Sequence, residues 1–124
     1  AKGDWFAPNI RFGHEPPHLA LVQAHIDQSL QAFSNGDSTK KSNLEMGLYY
    51  FNPTDSGFVN RDFSHVKPDG NVYCYETSNT YNNRQRKVII IQLHDTETLR
   101  IEGLSTASCG NGPWHLTNDA EFER

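Results

Sequence analysis

The chain lacks most of the features that would place it at a glance. No apolar run approaches the ~20 residues that span a bilayer as a helix; runs such as Val88-Ile89-Ile90-Ile91 reach only four. There is no CxxC pair, and the six histidines do not fall at zinc-finger spacings, so no metal site is expected. A G-x-S-x-G elbow and a P-loop are both missing, which removes the usual signatures of nucleophilic and nucleotide chemistry. No Asn-x-Ser/Thr acceptor has a permitted middle residue, since Asn52 is followed by Pro53. Positive charge is scarce: 11 Lys and Arg against 15 Asp and Glu leave a net charge of −4. No global field therefore draws the protein to nucleic acid or acidic lipid. Apolar residues make up 35% of the 124, which is lean but not the composition of a disordered chain. The length fits one domain, residues 1–124, able to bury roughly two-thirds of its unfolded surface.

Two cysteines are present, Cys74 and Cys109, in a chain rich in Asn, Gly, Ser and Thr. In a small domain this suggests one disulfide and an oxidising compartment; the alternative is a pair of buried free thiols. The chain opens on Ala1 rather than Met, as expected of a mature or excised fragment from which any signal peptide is already gone.

Periodicity predicts one helix. Leu19, Val22, Ile26, Leu30 and Phe33 recur at spacings of three and four, one face of an α-helix over His18 to Phe33. Pro16-Pro17 can open it, and Asn35-Gly36-Asp37 can stop it. Asp4 to Phe12 reads as an edge strand. The rest reads as short strands: Leu44 to Phe51, Gly57 to Phe63, Asn71 to Thr77, Lys87 to Leu93, Thr98 to Leu104 and a last piece at Trp114 to Leu116. Pro53 to Gly57, Pro68-Asp69-Gly70 and His94 to Glu97 supply turns. The expectation is an α+β domain, one N-terminal helix packed on an antiparallel meander of four or five strands.

Few constellations carry chemistry. Arg84, Arg86 and Lys87 form the densest basic patch. With Tyr81 and the neighbouring asparagines they could grip a phosphate, or simply keep a sheet edge soluble. Glu76 alternates onto the face of Val72 and Cys74, where a carboxylate is either a working base or one half of an ion pair. No spacing pairs two histidines across a cleft.

The element order resembles that of the small fungal guanyl-specific ribonucleases. Tyr49-Tyr50-Phe51-Asn52 stands where that family has a Tyr-Pro-His strand. Tyr75-Glu76 resembles its Tyr-Glu base, and Arg84, Arg86 and Lys87 precede Val88-Ile89-Ile90 as its arginine precedes the central strand. Gly103-Leu104-Ser105-Thr106 and Gly110-Asn111-Gly112-Pro113-Trp114 resemble its closing segment. The family's two histidines would fall near Phe51 or Asn52 and near Ser105 or Thr106, none of which exchanges protons at neutral pH. A ribonuclease-like frame without its histidines is similar to the secreted, avirulence-type effectors of powdery mildew fungi. Those effectors commonly carry Tyr-x-Cys near the mature N-terminus, where this chain has Trp5-Phe6-Ala7.

The resemblance implies a secreted, non-catalytic, monomeric effector acting inside a plant host cell. It would bind a host protein or immune receptor and, weakly, RNA, with no cofactor and no membrane partner. Tyr81, Arg84, Arg86, Lys87 and Trp114 are the expected binding residues. The alternative is an active small ribonuclease or a bacterial ribonuclease toxin, cleaving single-stranded RNA with Glu76 as general base, Arg86 as phosphate clamp and His94 or His115 as acid.

Overall fold

Alternation at a period of two, not the helical repeat, organises the N-terminal region. The computed structural model describes residues 3–6, 18–23, 29–36, 43–44, 47–78, 86–106, 108–110, 112–117 and 119–123. These form eight strands: β1 (Gly3–Phe6), β2 (His18–Gln23), β3 (Gln31–Asn35), β4 (Gly47–Phe51), β5 (Val72–Ser78), β6 (Arg86–Leu93), β7 (Thr98–Leu104) and β8 (Ala120–Glu123). Each pairs antiparallel with its sequence neighbour, and β1 meets β8 through Phe6 and Glu123, so the sheet closes into an up-and-down barrel. Closure leaves the sheet without a free edge.

The expected α+β fold is overturned. Residues assigned to an N-terminal helix instead form the β2 and β3 strands of an antiparallel pair, with Leu21 opposite Phe33 and Leu19 opposite Asn35. The only helical structure among the described residues is a single 3-10 turn, Phe63–His65. Two further strand expectations fail with it. Residues 57–63 make isolated bridges rather than a strand, and 114–116 is not a strand; the last strand is β8. Ile26, expected on the helix face, lies outside the described residues. The strands from β5 to β7 follow the expected alternation, with Tyr73 and Tyr75 on one face and Val72, Cys74 and Glu76 on the other.

Inward-facing residues fill the barrel. Trp5, Leu19, Leu21, Phe33, Tyr75, Ile89, Ile91, Leu99 and Phe122 are fully or almost fully buried there. This polarity, apolar inside, is the reverse of a transmembrane barrel, which turns its apolar residues to lipid. Eight strands enclose a space that side chains can just fill. Here aromatic rings from Phe33, Phe51, Phe63 and Tyr75 occupy one end, with centroids 4.7–5.8 Å apart in tilted and edge-on pairs. Such pairs contribute about 0.5–1.5 kcal/mol each beyond their burial. Phe63 is delivered by the 3-10 turn, and its N–H donates to Oε1 of buried Gln31 at 2.9 Å. Asn35, equally buried, donates to the Leu44 carbonyl at 3.1 Å.

Beyond β1–β8, the other narrow seam lies between β4 and β5, which share one pair, Tyr50 and Ser78. The connection between them covers what is left open. Cys74 N–H donates to the Phe58 carbonyl and Asn60 N–H to the Cys74 carbonyl, both at 2.8 Å. Asn60 adopts a left-handed conformation, φ 55°, which asparagine tolerates. Its side-chain oxygen then takes the Glu76 N–H at 2.8 Å. The exposed ladder of β5 is thus satisfied by a loop that never becomes a strand.

Candidate functional site

Outward-facing residues of β5 and β6 make a second apolar layer. Cys74, Val88 and Ile90 are buried outside the barrel, with Cys109. Two connections cover them: Val59 comes from the β4–β5 connection, and Cys109, Trp114 and Leu116 from the β7–β8 connection. Burial on both faces explains why residues 88–91 are continuously apolar.

Four ties hold the β7–β8 connection in place. The cysteines form a disulfide, with Cα atoms 6.0 Å apart. Glu76 Oε2 accepts the Cys109 N–H at 3.2 Å. Glu102, almost fully buried, accepts the Thr117 N–H at 2.8 Å. The Trp114 indole Nε1–H donates to the Cys109 carbonyl at 2.7 Å.

Where the two connections meet over the start of β5, they leave an open groove of about 370 Å³. Phe58 from one connection and Trp114 and Pro113 from the other line it, together with Gly70, Asn71, Val72 and Gly112. Each wall has a support. Phe58 is 45% exposed, yet its ring lies 5.3 Å from that of Tyr73 in an edge-on contact. Trp114 lies over Gly112: a Cβ there would sit 3.4–3.5 Å from the ring carbons, at a backbone φ of 69°. Gly112 is therefore held by its backbone conformation, which disfavours side chains, with the Trp114 ring resting on it at contact distance.

The floor is a tied turn. Asn71 N–H donates to Asp69 Oδ1 at 3.0 Å, and Gln92 Nε2 donates to the Gly70 carbonyl at 2.7 Å. Partial desolvation raises the Asp69 pKa, but hydrogen bonds from Asn71, its own backbone and the Tyr73 hydroxyl outweigh it, leaving the carboxyl below its usual range. Tyr73 is shifted upward, chiefly by burial. Tyr75 is raised well above the tyrosine range by deeper burial, and its hydroxyl donates to the Arg61 carbonyl at 2.8 Å.

The described residues of the expected site sit mostly on or beside the β5–β6 pair, and they do not converge on one cleft. Glu76 and Arg86 both point outward, Glu76 opposite Val88 and Arg86 opposite Ser78. Glu76 is occupied in latching the Cys109 backbone. His94 is six positions beyond Val88, about 20 Å along the strand, where its N–H donates to the Thr98 carbonyl. Lys87, next to Arg86 in sequence, faces the other way; its Cε would lie 2.7 Å from a Cβ at Gly103. A two-residue period thus divides the basic cluster. Tyr81 and Arg84 lie outside the described residues. His115 is exposed beside Trp114. Of the described expected binding residues, only Trp114 lines the groove. Phe58 was missed, since a single aromatic in the turn-rich stretch Asp55-Ser56-Gly57-Phe58 carries no signal on its own. Among the described residues, no three His, Cys, Asp or Glu side chains gather to hold a metal ion.

No protein family, curated protein or solved structure matches this chain.

Proposed function

We propose that this protein is a secreted, non-catalytic binding module that meets its ligand in the groove between Phe58 and Trp114. The observation that carries the reading is the groove itself, a concave aromatic-walled site outside a barrel filled with side chains. Sites of this kind, apolar with a few placed polar groups, are where small ligands bind. The separation of Glu76 from His94 and the engagement of Glu76 by the Cys109 N–H support binding over acid–base chemistry, because general acid and base must reach the same substrate. The Cys74–Cys109 bridge supports secretion, since disulfides persist in oxidising compartments. The expectation of a plant-host effector came with the ribonuclease element order and draws no support from a barrel.

The test has two arms. Purified oxidised protein is incubated with single-stranded RNA, and no turnover is expected. The same protein, Phe58→Ala and Trp114→Ala are then applied to arrays of oligosaccharides and synthetic peptides. The reading holds if capture by the wild type is lost in both variants. It fails if RNA is cleaved at enzymatic rates, or if captured ligands bind the variants equally well.

A further inference from the structure

We infer that the groove takes a neutral oligosaccharide, a conclusion that rests on the groove being the binding site and assigns its ligand class. Among the described residues, the seven that line the groove include no ionisable side chain. An anion such as phosphate or a nucleic-acid backbone would find no countercharge there, and a cation no carboxylate. Asp69, beside Gly70, accepts hydrogen bonds from Asn71 and Tyr73 and is not part of the lining. The lining itself therefore fits an uncharged ligand.

The walls say more. Phe58 and Trp114 offer carbon surfaces across an opening wide enough for a small organic ligand. A pyranose ring presents C–H bonds on its faces and hydroxyls around its rim. Its faces complement the electron-rich faces of aromatic rings, and its rim complements the amide and backbone groups of Gly70 and Asn71. An extended proline-rich peptide also docks between aromatic rings, but its carbonyls need donors from the walls. The Trp114 indole N–H is already committed to the Cys109 carbonyl at 2.7 Å, so Trp114 acts through its ring, and decaproline serves as the competing probe.

The experiment uses tryptophan fluorescence of the intact oxidised protein. Trp5 is fully buried in the barrel, so ligand-dependent change reports Trp114. The probes are neutral tetrasaccharides of glucose, N-acetylglucosamine, xylose and mannose, with tetragalacturonate as the anionic counterpart and decaproline as the peptide. At least one neutral tetrasaccharide should bind with an affinity unchanged from low to high salt, and should weaken about tenfold or more in Phe58→Ala. Phe58 is the primary variant because its largely exposed ring can be removed without unseating the strap that carries Trp114. If decaproline or tetragalacturonate binds in a Phe58-dependent way and no neutral saccharide does, the saccharide assignment is overturned while the groove stands. If the bound ligand ignores Phe58→Ala, both fall together. Failure of every neutral saccharide at saturating concentration overturns the assignment outright.

Discussion

The two faces of β5 and β6 bury comparable side chains for different ends. Inward, Tyr73, Tyr75, Ile89 and Ile91 join a closed core fed by all eight strands. Outward, Cys74, Val88 and Ile90 are covered by loop residues held by one disulfide and a few hydrogen bonds. The inner layer is redundant: many strands contribute, and losing one contact leaves the others. The outer layer depends on single ties. Stability therefore resides in the barrel, while the shape of the groove resides in the strap over residues 105–117.

The comparison can be broken most forcefully from inside. Phe33 touches Phe51, Phe63 and Tyr75, and Phe33→Ala should lower the unfolding free energy by about 3–5 kcal/mol in a denaturant titration. A ligand bound in the groove should keep its affinity for the fraction that stays folded. Removing the disulfide with Cys74→Ala and Cys109→Ala should cost about 3–4 kcal/mol, given the 35-residue separation. Unlike the first change, it should abolish groove binding even where far-ultraviolet circular dichroism shows an intact barrel.

Smaller effects sharpen the picture. At Gly103 an added Cβ would lie 2.5 Å from the Asn43 carbonyl oxygen, so Gly103→Ala should cost about 1–3 kcal/mol through overpacking at one barrel end. Tyr75→Phe should cost about 1 kcal/mol by leaving the Arg61 carbonyl without its donor. The Tyr75 pKa is raised in the folded state, so its contribution is complete below the ordinary tyrosine pKa of about 10. It is lost as pH rises through the folded value. The alkaline fall in melting temperature should accordingly be shallower in Tyr75→Phe. Phe58→Ala should cost about 0.5–1.5 kcal/mol through its edge-on contact with Tyr73, while removing ligand binding.

The sequence was most legible where burial followed a plain alternation. Tyr73, Cys74 and Tyr75 alternate cleanly, and the turn at His94 to Glu97 marks the β6–β7 hairpin. The cysteine pair, too, signalled its own bridge. The β2 and β3 strands were not legible because two of their inward positions are polar. Gln31 and Asn35 face the interior to hold Phe63 and Leu44, which breaks the two-residue pattern. Leu19, Val22, Ile26, Leu30 and Phe33 happen to match a helical repeat instead. β8 escaped notice because its four residues carry two outward glutamates. Of the site, Trp114 was legible as an aromatic in a Gly-Pro loop. Its partnership with Phe58 was not, because the two meet only when the β4–β5 and β7–β8 connections converge on β5.

Hydrogen exchange of the two indole protons tests the division between core and strap most directly. In the oxidised protein both should be protected, Trp5 by full burial and Trp114 by its bond to the Cys109 carbonyl. After reduction of Cys74–Cys109, the Trp114 proton should exchange fast while the Trp5 proton stays protected. Protection of Trp114 that survives reduction, or loss of both protons together, would contradict the account.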